Sequence, residues 1–126
     1  MDDRQMPKRI FNILETVPAK GRTYRAPIYD CRHHEVHLWR VIPGEWIYPH
    51  IHPRTDDIWY VVQGNGVYYM TANETHAVAC GDLMLASPEE VHGIFNSGAE
   101  DLIILSVLAP LPVEYDEAPG FIYPGD

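Results

Sequence analysis

An all-β, double-sheet barrel is the fold this sequence predicts, and three observations predict it. From residue 35 onward the chain is a succession of short apolar or alternating runs. Clusters of Gly, Pro, Asn and Asp suited to tight turns separate them. No stretch carries the spacing of a long amphipathic helix. Connections this short join antiparallel neighbours, whereas a parallel α/β sheet would need helical crossovers.

Residues 1–34 hold mixed charge, three prolines and the apolar pieces "IFNIL" and "YRAPIY", which suit an edge strand or a contact with a second subunit. The barrel core is expected over residues 35–109. Its strands read, in order, "EVHLWRVI", "WIYPHIH", "DIWYVVQ", "GVYYMTA", "HAVA", "DLMLAS", "VHGIFN" and "LIILSVLA". Between them lie "PG", "PRTD", "GNG", "NET", "CGD", "PEE" and "SGAED", all turn material. The tail, residues 110–126, is rich in Pro and acid, but Tyr115, Phe121 and Tyr123 give it aromatic anchors for docking onto the body.

At 126 residues there is room for one domain with a core of its own. A formal charge of −9 repels a phosphate backbone, so nucleic acid is not an expected partner. No apolar run approaches membrane-spanning length and the N-terminus lacks a signal-peptide segment, so the expectation is a cytoplasmic protein without membrane attachment. Cys31 and Cys80 form no closely spaced ligand pattern and are expected as reduced, partly buried thiols.

The segment "PHIHPRTDDIWYVVQG" carries the chemistry. Alternate residues of a strand share a face, so His50 and His52 stand side by side with Cα atoms roughly 6.5–7 Å apart. After a short turn Asp57 opens the next strand and can close on the same point, while Asp56 alternates to the opposite face. His92 offers a third imidazole. Three neutral imidazoles and a carboxylate suit one divalent transition metal ion, Fe, Mn, Ni, Cu or Zn, with coordination positions left for water or substrate.

These residues resemble the two motifs of the cupin superfamily. The first is a Gly, five residues, His-x-His, three or four residues, Glu, six residues and Gly; Gly44, His50, His52, Asp57 and Gly64 fall on it. The second is a Gly, five residues, Pro-x-Gly, two residues, His, three residues and Asn; Gly81, His92 and Asn96 fit that frame. The resemblance covers residues 35–109 and implies a double-stranded β-helix, or jelly-roll, barrel with a metal centre. Two departures stand out. Asp57 replaces the usual Glu and is one methylene shorter, leaving a direct bond, a water bridge or no bond to the ion as alternatives. Ser87-Pro88-Glu89 replaces Pro-x-Gly, so the turn before His92 is expected to be built differently, with an acid at the rim.

Trp59 and Val61 share the face of Asp57, and Trp46 and Tyr48 share that of His50 if the strand runs regularly through Pro49; with Asn96 these residues are the expected pocket lining. Tyr48 and His37 are the candidate catalytic groups, His37 as a proton shuttle beside the metal. His33 and His34 are expected in solvent and His76 in a turn. Two functions follow: an enzyme of dioxygenase, isomerase or lyase type acting on a small oxygenated or aromatic molecule, or a non-catalytic small-ligand binding module, with or without metal. The resemblance, together with the exposed edges of a small sandwich, also implies a homodimer with a contribution from the N-terminal segment.

Overall fold

The computed structural model describes residues 9–125, so residues 1–8 of the N-terminal segment lie outside the described residues. Among the described residues ten strands and one short helix follow each other as α1 (Ile13–Thr16), β1 (Tyr24–Asp30), β2 (Glu35–Val41), β3 (Trp46–Ile51), β4 (Asp56–Gln63), β5 (Asn65–Tyr69), β6 (Thr75–Ala79), β7 (Leu83–Ala86), β8 (His92–Phe95), β9 (Leu102–Ala109) and β10 (Asp116–Glu117). Strands β2 to β9 fall on the runs read as strands, each within a few residues of its expected limits. His76 lies within β6 rather than in a turn, its Nε2 3.0 Å from Glu74 Oε2.

Two five-stranded antiparallel sheets make the barrel, in the orders β1-β2-β9-β4-β7 and β10-β3-β8-β5-β6. Strand alternation sorts their residues. On β4, Asp57, Trp59 and Val61 are buried while Asp56, Ile58 and Tyr60 are exposed. Between the sheets Val41, Ile47, Trp59, Val61, Tyr68, Met84, Ile94, Leu102 and Ile104 pack into one core. Val61, expected in the pocket, belongs to this core and is wholly buried.

A second apolar cluster lies on the outer face of the first sheet, where Val17, Leu38 and Ile103 are covered by Ile13, Tyr24, Ala26 and Ile28. The N-terminal segment thus closes one half of that face. Helix α1 is capped by Asn12, whose side chain accepts from Glu15 N at 3.1 Å, and Arg40 Nε donates to the Val17 carbonyl at 2.8 Å. β1 pairs with β2 as the edge strand of the sheet. Among the described residues no helix is long and apolar enough to cross a membrane. Both cysteines are free and, contrary to expectation, exposed, because each sits in a loop or turn between strands.

Candidate metal centre

Strands β3, β4 and β8, with the residue that follows β3, bring His50, His52, Asp57 and His92 together, with one ligand atom from each lying within 4.8 Å of the others. A bulge in β3 sets the geometry. Ile47 pairs with Ile94 and His50 with His92, so three steps on β3 match two on β8, and Tyr48 and Pro49 together oppose Gly93. Gly93 is required there: an added Cβ would stand 2.5 Å from Pro49 N and Cα. The extra residue lets Ile47 and His50 both face inward although they are three apart. It also turns Trp46 and Tyr48 to the other face, against the expectation of a regular strand. Both border the cavity, but their rings stack on each other at 5.7 Å and meet Phe121 of the tail.

Each imidazole is fixed by a backbone carbonyl. Tyr48 O lies 2.6 Å from His50 Nδ1, Glu114 O 2.7 Å from His52 Nδ1, and Glu90 O 3.1 Å from His92 Nδ1. A carbonyl has no proton to give, so in each ring Nδ1 donates and the Nε2 lone pair is left for the centre. His92 Nε2 is 3.1 Å from Asp57 Oδ2 yet out of line for a hydrogen bond, and it has no other partner. His52 Nε2 is 3.5 Å from the same oxygen. Ser106 Oγ donates to Asp57 Oδ1 at 2.7 Å in a fully buried bond. Three lone pairs and a carboxylate aimed at one point repel one another unless a cation sits among them, so the donor set fits a transition metal ion with N and O ligands.

The electrostatics of His50 and Asp57 point the same way. Burial lowers the pKa of His50 to about 4, with the neighbouring His92 adding to the effect. At Asp57 burial works to raise the pKa, but the close contacts with His52 and His92 and the hydrogen bond from Ser106 outweigh it and hold the carboxyl well below the usual range. Burial opposes protonation of His52, and its contacts with Asp57 and the Glu114 carbonyl overcome that and raise its pKa. Asp57 is therefore an anion and His50 neutral at neutral pH, the states a metal needs.

The cluster opens on a cavity of about 560 Å³ whose walls include Trp39, Trp59, Leu108, Val113 and Tyr115. Trp59 lines it as expected. Asn96 does not: it is buried away from the cavity, its amide donating to Val41 O and Glu100 O and its Oδ1 accepting from Gly98 N, so it staples the turn before β9. His37 is buried in the cavity wall, whereas His33 is exposed and His34 half-buried against Tyr29. The turn before His92 keeps a left-handed residue where the resemblance has Gly: Glu89 adopts φ +71° and donates its N–H to His52 O at 2.9 Å. Its backbone is thus less altered than the sequence implies.

Ser106, the Glu114 carbonyl and the walls Val113 and Tyr115 were not expected in the site. Ser106 is a single hydroxyl in an apolar run, which was a usable signal. The tail contributes through a backbone carbonyl, which leaves no mark in the sequence.

A family model described as the cupin domain matches residues 37–108. An oxalate-binding protein of Thermotoga maritima is 27% identical over 107 residues, 81% of this chain and 85% of that protein. A solved structure from Klebsiella pneumoniae, an uncharacterized conserved protein with a double-stranded β-helix domain, is similar with a TM-score of 0.82 at 34% identity, over 89% of this chain and 98% of that one. A structure from Thermus thermophilus shares the fold with a TM-score of 0.74 at 23% identity, over 82% and 98% of the two chains.

Proposed function

The chain belongs to the cupin family, and from that premise we propose that it is a metal-dependent enzyme acting on a small, chelating, oxygenated molecule. The observation that carries this reading is the convergence of His50, His52, Asp57 and His92, each tautomer fixed, at an open cavity. An ion held there, one divalent transition metal per chain, would supply a Lewis acid for oxygen donors. The protein keeps the four ligands rigid on paired strands, while Trp39, Trp59 and Leu108 exclude bulk water from the bound molecule.

Metal content measured by elemental mass spectrometry, on protein purified without chelator or metal resin, tests the site. Near-stoichiometric metal lost in a His50→Ala, His92→Ala double variant is the expected result; no metal in either protein, even after reconstitution, refutes it. The name of the oxalate-binding relative favours a second reading, a module that captures a small dicarboxylate without turnover. Oxalate binding without chemical change of any candidate diketone, phenol or keto acid would select it.

Exposed Ile58, Tyr60, Leu83 and Leu85 on the outer face of the first sheet, together with Ile10 and Leu14 of the N-terminal segment, support a homodimer. A monomeric mass by light scattering at micromolar concentration would remove it. Two free, exposed thiols fit a reducing compartment, and we place the protein in the cytoplasm.

A further inference from the structure

The cavity has a second polar wall, away from the metal ligands. β2 turns Glu35, His37 and Trp39 toward it, and Arg25 of β1 joins them with its guanidinium carbon 6.0 Å from the Trp39 ring centroid. Glu35 and His37 form a pair: His37 is 7% exposed, and its Nε2 stands 2.8 Å from Glu35 Oε2. A carboxylate accepts, so Nε2–H donates and holds the carboxyl in one orientation. The other carboxyl oxygen of Glu35 has no protein partner among the described residues, and the side chain is 35% exposed, within reach of solvent protons.

Register places this acid in line with Asp57 across the first sheet. Glu35 pairs with Leu108, and Leu108 pairs with Asp57, so the two carboxylates stand in one cross-strand row with Leu108 between them. Two inter-strand steps separate their Cα atoms by about 10 Å, with both side chains standing on the cavity face of the sheet.

We infer that Glu35 is the acid–base residue of the cavity, positioned by His37, and that the substrate is an enolisable 2-oxo acid. The inference rests on the metal reading above, since the substrate's carboxylate and keto oxygens are the atoms that chelate. In the step, the C–H bond next to the keto group breaks, its proton goes to the free oxygen of Glu35, and the electron pair stays on the substrate as the enolate. Return of a proton from Glu35 to carbon restores the keto form, so no oxidant or further reactant is consumed. His37 keeps the carboxyl aimed, and Arg25 adds positive charge to a wall that must admit an anion.

The experiment uses full-length, metal-loaded protein in D2O with pyruvate, following deuterium entry into its methyl group by NMR, and oxalate as a binding probe with no C–H to lose. The wild type is expected to exchange faster than free metal. Glu35→Gln is expected to lose exchange by roughly 100-fold or more while metal content and oxalate affinity stay within about twofold. His37→Ala frees the carboxyl to turn, so exchange at saturating pyruvate should fall while the KM for pyruvate stays within about twofold, and His37→Gln, which keeps a side-chain N–H donor, should restore the rate, a split and rescue that loss of packing alone would not produce. Oxalate binding without methyl exchange in the wild type, or unchanged exchange in Glu35→Gln, overturns the inference and leaves the metal reading standing. Failure to bind metal at all overturns both.

Discussion

Ser106→Ala isolates the support of the metal-facing carboxylate. The hydroxyl is 1% exposed and donates to Asp57 Oδ1 at 2.7 Å, a charge-assisted bond that no water can replace. Ala fits the space left, so packing changes little and the lost bond dominates. In the metal-free protein its removal should cost about 1.5–3 kcal/mol of stability, the range for a hydrogen bond to a charged group. In the metal-loaded protein the ion offsets the carboxylate charge, and the loss becomes one of orientation, about 10–100-fold in metal affinity. Denaturant unfolding of the metal-free protein and chelator competition for the metal measure the two effects; Ser106→Thr, which keeps the hydroxyl, is the control. A stability change below about 0.5 kcal/mol together with an affinity within twofold would refute the assignment of Ser106 as the group that holds Asp57.

Gly93→Ala drives a Cβ into the Pro49 backbone, so the β3 bulge must shift; a loss of about 1–3 kcal/mol is expected, with weaker metal binding as His50 and His92 move apart, both read from metal-dependent unfolding curves. Glu89→Gly relieves a side chain held at φ +71° and should raise stability by up to about 1 kcal/mol, seen as a later denaturant midpoint at unchanged slope. A chain ending at Pro112 loses the Glu114 carbonyl on His52, the Tyr115 wall and the Tyr123 hydroxyl bond to Pro49 O; metal affinity should fall about 10–100-fold by chelator competition, with full loading recovered at high metal. In the metal-free protein the His50 pKa lies near 4 when folded and near 6.5 when unfolded, so the unfolded chain takes up the proton first as pH falls. Stability should therefore drop across that window, by up to about 3 kcal/mol from this group. The raised pKa of His52 works the opposite way, its contribution being present below its unfolded value and lost as pH rises through the folded one. Unfolding curves between pH 7 and about 4.5 for wild type and His50→Gln separate the two.

What the sequence makes legible is what lies close along the chain. His50, His52 and Asp57 sit on one strand–turn–strand segment, where alternation alone places them on a common point, and His92 is located by the spacing of its own turn. The faces of Trp46 and Tyr48 were lost to a single bulge, because one extra residue inverts every side chain before it relative to those after. Pro49 inside an apparent strand was the available signal, since proline there marks an edge or an irregularity. The partners of the ligands were not legible for a different reason. Ser106 and Glu114 stand 49 and 62 residues from the side chains they hold, and Glu114 acts through a carbonyl that every residue possesses. Asn96 was misassigned because spacing fixes where a residue falls in the chain, whereas its hydrogen bonds to Val41 and Glu100 depend on how the ends of β2 and β8 meet. The donor set of the site is thus a local property of the sequence, and its orientation is a property of the fold: the ligands come from three strands, but the tautomers that aim them are set by Tyr48, Glu90 and a tail that returns from the far end of the chain.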